Sequence, residues 1–487
     1  MTIDLLIVGG GINGAAIARE AALNGRSVLL VERGDLAGAT SSKSTKLIHG
    51  GLRYLEYYDF GLVREALVER RRLLKAAPHL IHPLTFVLPH EHAVRPWWMV
   101  RAGLLLYDLL AGRGGLPRSR GLGAQDAAYR APLKGDGRGF VYSDAWVDDA
   151  RLVVLNARDA ADNGAEIATR TALVSATRGE ESWRVTLGDG RTLDCGAIVN
   201  AAGPWVNEVS ALLGVKSRSG ARLIKGSHII VPRLFDGDHA YILQQPDRRI
   251  VFAIPYEGAY TLIGTTDIAV KQPEDARIEP EEIAYLVECA NRHFKHQIAA
   301  TDVVSSYSGV RSLYDDGASE SRQVTRDYVL ELDGNGAPLL SVFGGKITTA
   351  RHLAEDAMEK LGEWLEFSVS PVTRGRIFPG GGIGRFDDYL AQVIARWPFL
   401  GSARADRMAR AYGAMLEAML GDATDAAALG EDFGGGLTAR EVDWLAEREW
   451  AVSADDILWR RTKLGLGGAV DAERLTTYLA ARPPRPQ

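Results

Sequence analysis

The sequence predicts an α/β chain in three parts: a doubly wound, mostly parallel sheet, an antiparallel sheet, and a C-terminal helical domain. Three observations predict it. The apolar run Leu5-Leu6-Ile7-Val8 leads into a glycine cluster and an alanine-rich stretch, as a buried parallel strand feeding a helix requires. Between residues 220 and 267, short apolar runs alternate with turn signals, the mark of antiparallel strands. After Gly380-Gly381-Gly382, apolar and charged residues recur at helical spacing to about Ala481.

In chain order, residues 5–8 form a strand, Ile12–Leu23 a helix with small residues on one face, and residues 27–31 a second strand ending at Glu32. Leu52, Leu55, Leu62, Leu67 and Leu73 predict a helical segment over 52–74, interrupted near Gly61. The glycine-rich stretches within 112–139 read as loops. Helix resumes at Asp149, followed by strands at Glu166–Thr169 and Trp183–Leu187, a hairpin turn at Asp189-Gly190, and a buried strand over 197–200. Strands over 227–231, 240–243, 250–254 and 260–263 make up the antiparallel part. Glu279-Pro280-Glu281-Glu282 opens a helix, with proline in the first turn and acids at its positive end. Leu339–Phe343 returns to a buried strand before helix from Thr349 onward, and the tail over 482–487 is expected to fray.

At 487 residues and 52.8 kDa, with 46% apolar and 24% charged residues, the chain has the composition of a globular protein of several domains. Disorder, collagen and coiled coil are excluded. Lys and Arg number 57 against 62 Asp and Glu, a net charge of −5, which speaks against a dedicated nucleic-acid binder. Two cysteines, Cys195 and Cys289, build neither a disulfide framework nor a four-cysteine zinc site, and a reducing, cytoplasmic setting is expected. No metal is expected. Asp4 ahead of the first apolar run reads as a strand rather than a signal peptide. No apolar stretch approaches the 18 residues that a membrane span requires.

Gly9-Gly10-Gly11-Ile12-Asn13-Gly14 satisfies G-x-G-x-x-G directly after a strand and at the mouth of a helix. The motif alone is weak. Its context is stronger: a second strand follows, ending at Glu32, 23 residues after Gly9. Gly11 would let a pyrophosphate approach the helix N-terminus, Gly14 would let helix and strand pack closely, and Glu32 would accept hydrogen bonds from a ribose. Flavin and nicotinamide dinucleotides fit this unit equally well.

The segment Thr40-Ser41-Ser42-Lys43-Ser44-Thr45-Lys46-Leu47-Ile48-His49-Gly50-Gly51-Leu52-Arg53-Tyr54-Leu55 resembles the stretch beside the flavin in FAD-dependent glycerol-3-phosphate dehydrogenases. The same resemblance runs through Tyr142-Ser143-Asp144, Trp146-Val147-Asp148-Asp149-Ala150-Arg151 and Asn200-Ala201-Ala202-Gly203-Pro204-Trp205. It continues in Leu223-Ile224-Lys225-Gly226-Ser227-His228, Gly264-Thr265-Thr266-Asp267 and Tyr307-Ser308-Gly309-Val310-Arg311. Thr325-Arg326-Asp327-Tyr328, Ser341-Val342-Phe343-Gly344-Gly345-Lys346 and Trp459-Arg460-Arg461-Thr462-Lys463 complete it. It spans nearly the whole chain in order and is closest to the aerobic, quinone-linked bacterial enzymes. Ser312 departs from the proline the family commonly has after the arginine.

The resemblance implies a Rossmann-like FAD-binding domain in two stretches, 1–90 and 141–215, with a cap and membrane-facing segment over 91–140. It places the antiparallel substrate domain over 216–305, a return to the flavin over 306–375, and the helical domain over 380–487. FAD is expected to bind non-covalently through Gly9, Gly11, Ile12, Asn13, Gly14, Glu32, Arg33, Thr40, Ser41, Ser42, Lys46, Leu47, His49, Ala202, Gly203, Trp205, Gly345, Lys346, Ile347 and Thr348. Substrate binding is assigned to Arg53, Tyr54, Thr266, Arg311 and Arg326, and catalysis to His49, Arg53, Arg311, Arg326 and Lys346. The implied reaction is oxidation of sn-glycerol 3-phosphate to dihydroxyacetone phosphate by hydride transfer to flavin N5, with ubiquinone or menaquinone as electron acceptor. A glycerol-3-phosphate oxidase using oxygen and a non-catalytic flavin-binding redox sensor are the alternatives, and a homodimer is left open.

The residue types suit that chemistry. A phosphate needs fixed positive charge, and the planar fork of arginine donates two parallel hydrogen bonds to it. The hydroxyl proton needs a base; neutral imidazole at His49 is suited, with Lys346 as its rival. Helix N–H groups following Gly344-Gly345-Lys346, with Thr348 and Thr349 as caps, would stabilise negative charge on a reduced flavin. In residues 95–110, paired tryptophans, a leucine cluster and flanking arginines match an interfacial segment. On the residues alone a core helix with internally packed tryptophans fits equally well; the resemblance, whose family includes membrane-surface enzymes, implies peripheral attachment to the cytoplasmic face of the inner membrane.

Overall fold

The computed structural model describes residues 2–91, 93, 95–112, 115–135, 137–216, 220–315, 327–365 and 367–482. Leu5, Leu6 and Ile7 are fully buried because their strand, Thr2–Val8, lies inside an eight-stranded sheet. Its sheet runs Val329–Asp333, Leu339–Phe343, Thr192–Asn200, Thr2–Val8, Val28–Glu32, Glu166–Thr169. All these neighbours pair in parallel except the first two. Alternation along the strand sets the layers. Leu5 and Ile7 face a core shared with the helices Ile12–Leu23, Asp149–Asp162 and Ala350–Trp364. Leu6 and Val8 face the other side, packed with Trp183, Val185 and Leu187 of an antiparallel meander, Leu173–Arg178 and Trp183–Leu187.

The second sheet has ten strands. Gly220–Pro232 and Ser305–Asp315 pair along residues 220–230, beside Tyr260–Gly264, Ile250–Tyr256 and Ala240–Gln244. This sheet extends well beyond the expected 216–305. Ile81–Pro89 and Gly139–Val147 pair antiparallel along their whole lengths, and Leu47–Ile48 adds a short edge. Parts of both stretches expected in the FAD domain thus belong to the antiparallel sheet, as does the start of the 306–375 stretch. Strand partners far apart in sequence leave no trace in local periodicity, so the boundaries could not be read from it. The segment expected over 52–74 is also divided differently. Leu52–Tyr57 is 3₁₀, Tyr58 takes φ of 59°, and helix Phe60–Ala76 starts with the Asp59 carboxylate accepting from Leu62 N–H. Gly61 lies inside that helix.

The C-terminal domain has its own core, built from helices that include Gly401–Tyr412 and Ala439–Arg448. Buried ion pairs hold it to the body. Arg151 reaches Glu449 with both side chains essentially dry, and it also donates to Ala411 O at 2.8 Å. Arg461 forks onto Asp35 at 2.7 and 2.8 Å, and Lys463 binds Asp148. Arg151→Met strands the Glu449 carboxylate, so it is expected to destabilise the protein by about 3–5 kcal/mol. A large drop in the urea midpoint checks this; an unchanged midpoint would show that the pair is dispensable for docking the domain.

Candidate active site

The carboxyl ends of the parallel strands and one face of the antiparallel sheet enclose a cavity of about 1610 Å³. Small-ligand sites run to roughly 300–1,000 Å³, so this space suits a dinucleotide together with a substrate. At one end lie Gly9 and Gly11; at the other, Met99, Val100, Gly103 and Leu106.

The first end is built by close backbone packing. Gly9 has φ of +113°, and a Cβ there would lie 2.5 Å from Ala201 O. A Cβ at Gly14 would lie 2.0 Å from Gly9 O, so Gly14 is an internal spacer. Gly11 is different: its φ is an ordinary −82°, and a Cβ would meet only Ser41 Oγ, at 3.1 Å, on the cavity side. Ile12 N–H donates to that hydroxyl at 2.9 Å. The Glu32 carboxylate accepts from Gly10 N–H at 2.7 Å and Gly34 N–H at 2.8 Å, and it borders the cavity. Arg33 lies over the Trp205 ring at 4.2 Å, making a second wall with Ala202 and Gly203. Asn13 Nδ2 donates to Gly344 O at 3.0 Å, while its Oδ1 is buried without a partner. Thr40 Oγ1 donates to Val310 O at 2.6 Å. Leu47, Gly345, Ile347 and Thr348 also line the space.

Besides Gly14, two further expected cofactor residues do not. Lys46 is sealed in an ion pair with Asp149 at 2.7 Å, both nearly inaccessible, and Ser42 Oγ donates to Ala39 O. Charge in the motif could be read; the direction of a side chain at φ of 60°, as Lys46 has, could not.

His49, Arg53, Tyr54, Arg311 and Lys346 all line the cavity. Lys346 Nζ is buried without a hydrogen-bond partner among the described residues and sits 4.0 Å over the Tyr54 ring. Arg53 makes no ion pair among the described residues. Arg311 donates to Thr266 O at 3.4 Å and lies 3.9 Å from Asp267. Thr266 does not offer its hydroxyl to a ligand: Oγ1 donates to Glu282 and accepts from Ser227 N–H, so its part is to seat Arg311 through its carbonyl. Arg326 lies outside the described residues. The hydroxyl of Ser312 is buried and has no hydrogen-bond partner among the described residues.

Burial lowers the pKa of His49 below its ordinary 6.5; the Asp144 charge opposes this, and Lys346 and Arg70 add to it. The imidazole is therefore neutral at pH 7. No protein group bonds either ring nitrogen among the described residues, while the His49 backbone N–H donates to Thr348 Oγ1 at 3.4 Å. His228 was not assigned from sequence, although its segment belongs to the resemblance. It lines the cavity, bonds Thr45 Oγ1 at 3.0 Å and stacks on Tyr307. Burial drives its pKa down to about 3. Lys43 also lines the cavity, unassigned for want of any spacing rule.

Helix Trp97–Ala111 closes the far end. Trp98, Ala102, Leu105 and Leu109 form its exposed stripe, with Trp98 68% and Leu109 75% exposed. The tryptophan pair is split, since Trp97 stacks on Phe140 at 3.9 Å. The flanking arginines are largely engaged: Arg95 with Glu56, Arg101 with Ser119, Arg120 with Asp126. Arg113 lies outside the described residues.

The chain matches the FAD dependent oxidoreductase family over residues 4–351 and the C-terminal domain of alpha-glycerophosphate oxidase over residues 371–481. It is 52% identical to a glycerol-3-phosphate dehydrogenase of Pseudomonas aeruginosa, over 99% of this chain and 96% of that one. It is 48% identical to a D-erythritol 1-phosphate dehydrogenase of Brucella abortus, over 95% and 94%. The solved glycerol-3-phosphate dehydrogenase of Bacillus halodurans, complexed with FAD, superposes with a TM-score of 0.74 at 26% identity, covering 95% of this chain and 86% of that one.

The site fits FAD on its own geometry. Gly11 leaves a cradle at a helix N-terminus, Glu32 stands at the end of the second strand, and the buried Lys346 ammonium has no hydrogen-bond partner among the described residues. Cys195 and Cys289 do not line the cavity. Because Ala is unstrained at the Gly11 backbone angles, Gly11→Ala is expected to fold yet fill the cradle. FAD affinity should fall about 10–150-fold, the weight of a charge-assisted bond. Flavin fluorescence titration of stripped protein measures it, and wild-type affinity would move the pyrophosphate off this turn.

Proposed function

The chain belongs to the family of FAD-dependent oxidoreductases, and on that premise we propose that it oxidises sn-glycerol 3-phosphate to dihydroxyacetone phosphate for a quinone of the membrane. The observation that carries the reading is one cavity lined by Arg53, Arg311 and Lys346, whose ammonium has no hydrogen-bond partner among the described residues, together with a buried, neutral His49. Bound FAD supplies the two-electron acceptor for the hydrogen leaving the carbinol carbon. Arg53 and Arg311 grip the phosphate with their forks. A ring nitrogen of His49 takes the hydroxyl proton, and Lys346 stays a cation that balances negative charge in the site. A relative acting on a four-carbon polyol phosphate shares 48% of residues, so chain length is the property to be measured.

Anaerobic mixing with glycerol 3-phosphate should bleach the flavin, faster than erythritol 1-phosphate does. No bleaching by either sinks the enzyme reading. Arg311→Ala should lower kcat/KM about 10–150-fold with FAD retained. His49→Asn should slow bleaching by about 10²–10⁴-fold. In the wild type the rate should fall only on the acid side of pH 6.5, since burial lowers the His49 pKa and the neutral ring persists to lower pH. A loss confined to Lys346→Met would transfer the proton to the lysine. The C-terminal match to an oxidase domain favours a second acceptor, oxygen. Reoxidation by a soluble quinone much faster than by air decides between them.

The reading further places the exposed stripe of helix Trp97–Ala111 in the cytoplasmic lipid surface, where the cavity's apolar end can admit a quinone from the bilayer. Among the described residues no helix is long and apolar enough to cross a membrane. With Arg95, Arg101 and Arg120 engaged and Arg118 exposed, burial of apolar surface is the main attraction, so attachment should largely resist salt. Trp98→Ser/Leu105→Ser/Leu109→Ser should weaken co-sedimentation with liposomes by about 10²-fold or more, at roughly 1.5–3 kcal/mol per buried side chain. Wild type remaining in the supernatant would refute the attachment.

A further inference from the structure

The face of helix Trp97–Ala111 opposite its exposed stripe carries Tyr107, which is 2% exposed. Its hydroxyl is the meeting point of three elements. It donates to the Asp144 carboxylate, whose oxygens lie at 2.8 and 2.9 Å, and it accepts from Gly50 N–H at 2.8 Å. Arg70, from helix Phe60–Ala76, pairs with the same carboxylate and donates to Ser143 O at 2.9 Å. Asp144 is 1% exposed. A lone buried carboxylate between a guanidinium and a phenol is a fixed point, since each partner satisfies the other.

The peptide that Tyr107 holds is the one following His49. Before it, Leu47 and Ile48 are held in register by Trp146 and Ala145 of the strand that carries Asp144. After it, Gly51 takes φ of +75° and the chain turns into Leu52–Tyr57. The imidazole is thus carried between a sheet pairing on one side and the Tyr107 hydrogen bond on the other, with the His49 N–H itself donating to Thr348 Oγ1 at 3.4 Å. The fit is close: a Cβ at Gly50 would lie 2.7 Å from the Tyr107 hydroxyl oxygen.

We infer that Tyr107 is a positioning residue that transmits the seating of helix Trp97–Ala111 on lipid to the His49 loop. The inference rests on the function proposed above, because it needs both a proton-accepting His49 and a lipid-facing helix. A lipid surface that buries Trp98, Leu105 and Leu109 fixes the helix, and Tyr107 then fixes the peptide beside the base. Without lipid the helix has an unburied apolar stripe, and the loop loses the stiffness of its support. Arg70 and Asp144 stay with the body of the protein and set the height at which the phenol is held.

The test compares wild type and Tyr107→Phe as FAD-loaded full chains. Anaerobic flavin bleaching by glycerol 3-phosphate is followed across pH, with and without liposomes. Wild type is expected to bleach faster on liposomes. Tyr107→Phe is expected to keep its FAD, its co-sedimentation and its KM, while losing the liposome-dependent gain and about 3–10-fold of the bleaching rate, the weight of one buried hydrogen bond. Its acid limb should also shift, since His49 would sit at a different distance from Asp144. A Tyr107→Phe enzyme with the wild-type liposome gain and pH profile overturns the inference and leaves the proposed function standing. Absence of bleaching in the wild type overturns both, while absence of liposome binding overturns the inference and the attachment but leaves the oxidation reading standing. If Tyr107→Phe fails to retain FAD, Asp144→Asn carries the same comparison, and a wild-type gain there is equally fatal.

Discussion

A Cβ at Gly14 would stand 2.0 Å from Gly9 O, and one at Gly9 would stand 2.5 Å from Ala201 O. Helix Ile12–Leu23 is therefore pressed onto the first turn, and that turn onto the end of Thr192–Asn200. Only glycine permits such contact, because any other residue would insert a methylene where two backbones already touch. Everything at the cofactor end follows from this approach. It brings Ala201 and Ala202 opposite Gly9, turns the helix N-terminus toward the cavity, and sets Asn13 within reach of the Gly344 carbonyl. The loop carrying Gly344, Gly345 and Lys346 is placed by that bond, so the Lys346 cation depends on packing in the first fourteen residues.

The cations around the cavity divide by whether the protein already neutralises them. Lys46 has Asp149 at 2.7 Å and Lys463 has Asp148, both buried. Among the described residues Lys346 has an aromatic face and no ion pair, and Arg53 has no ion pair either. A buried ammonium left unbalanced is costly. Its persistence makes sense where an anion arrives as ligand, which both a flavin and a phosphate ester provide. The neutral His49 belongs to the same pattern, since burial and neighbouring cations disfavour its protonation and keep it ready to accept a proton.

What the sequence revealed follows the range of the interactions. The glycine turn, both flanking strands and the helix between them are local, and each was legible from periodicity and spacing. The strands over 220–264 were legible too, as alternating runs between turns. The attachment of Ile81–Pro89 and Gly139–Val147 to that sheet was not, because pairing across fifty residues has no local signature. In the site, residue type was legible and orientation was not. Lys46 and Thr266 carry suitable groups, but Asp149 and Glu282 occupy them. His228 shows the converse, since its role as cavity wall comes from stacking on Tyr307, a residue 79 positions away.

The segment Trp459-Arg460-Arg461-Thr462-Lys463 matched the family without any chemical reason visible in sequence, and its contacts now supply one. Arg461 forks onto Asp35, three residues past Glu32, while Lys463 binds Asp148, next to the Asp149 that seals Lys46. Arg460 reaches Asp35 as well and touches the cavity itself. Buried pairs of this kind add little net stability compared with apolar packing, yet they fix geometry sharply. The C-terminal domain therefore acts on the cofactor end by specifying where two loops sit, one bearing Glu32 and Arg33, the other bearing the buried Lys46. A helical domain with its own core is in this way mechanically continuous with the dinucleotide cradle, although apart from Arg460 it contributes almost nothing to the cavity wall.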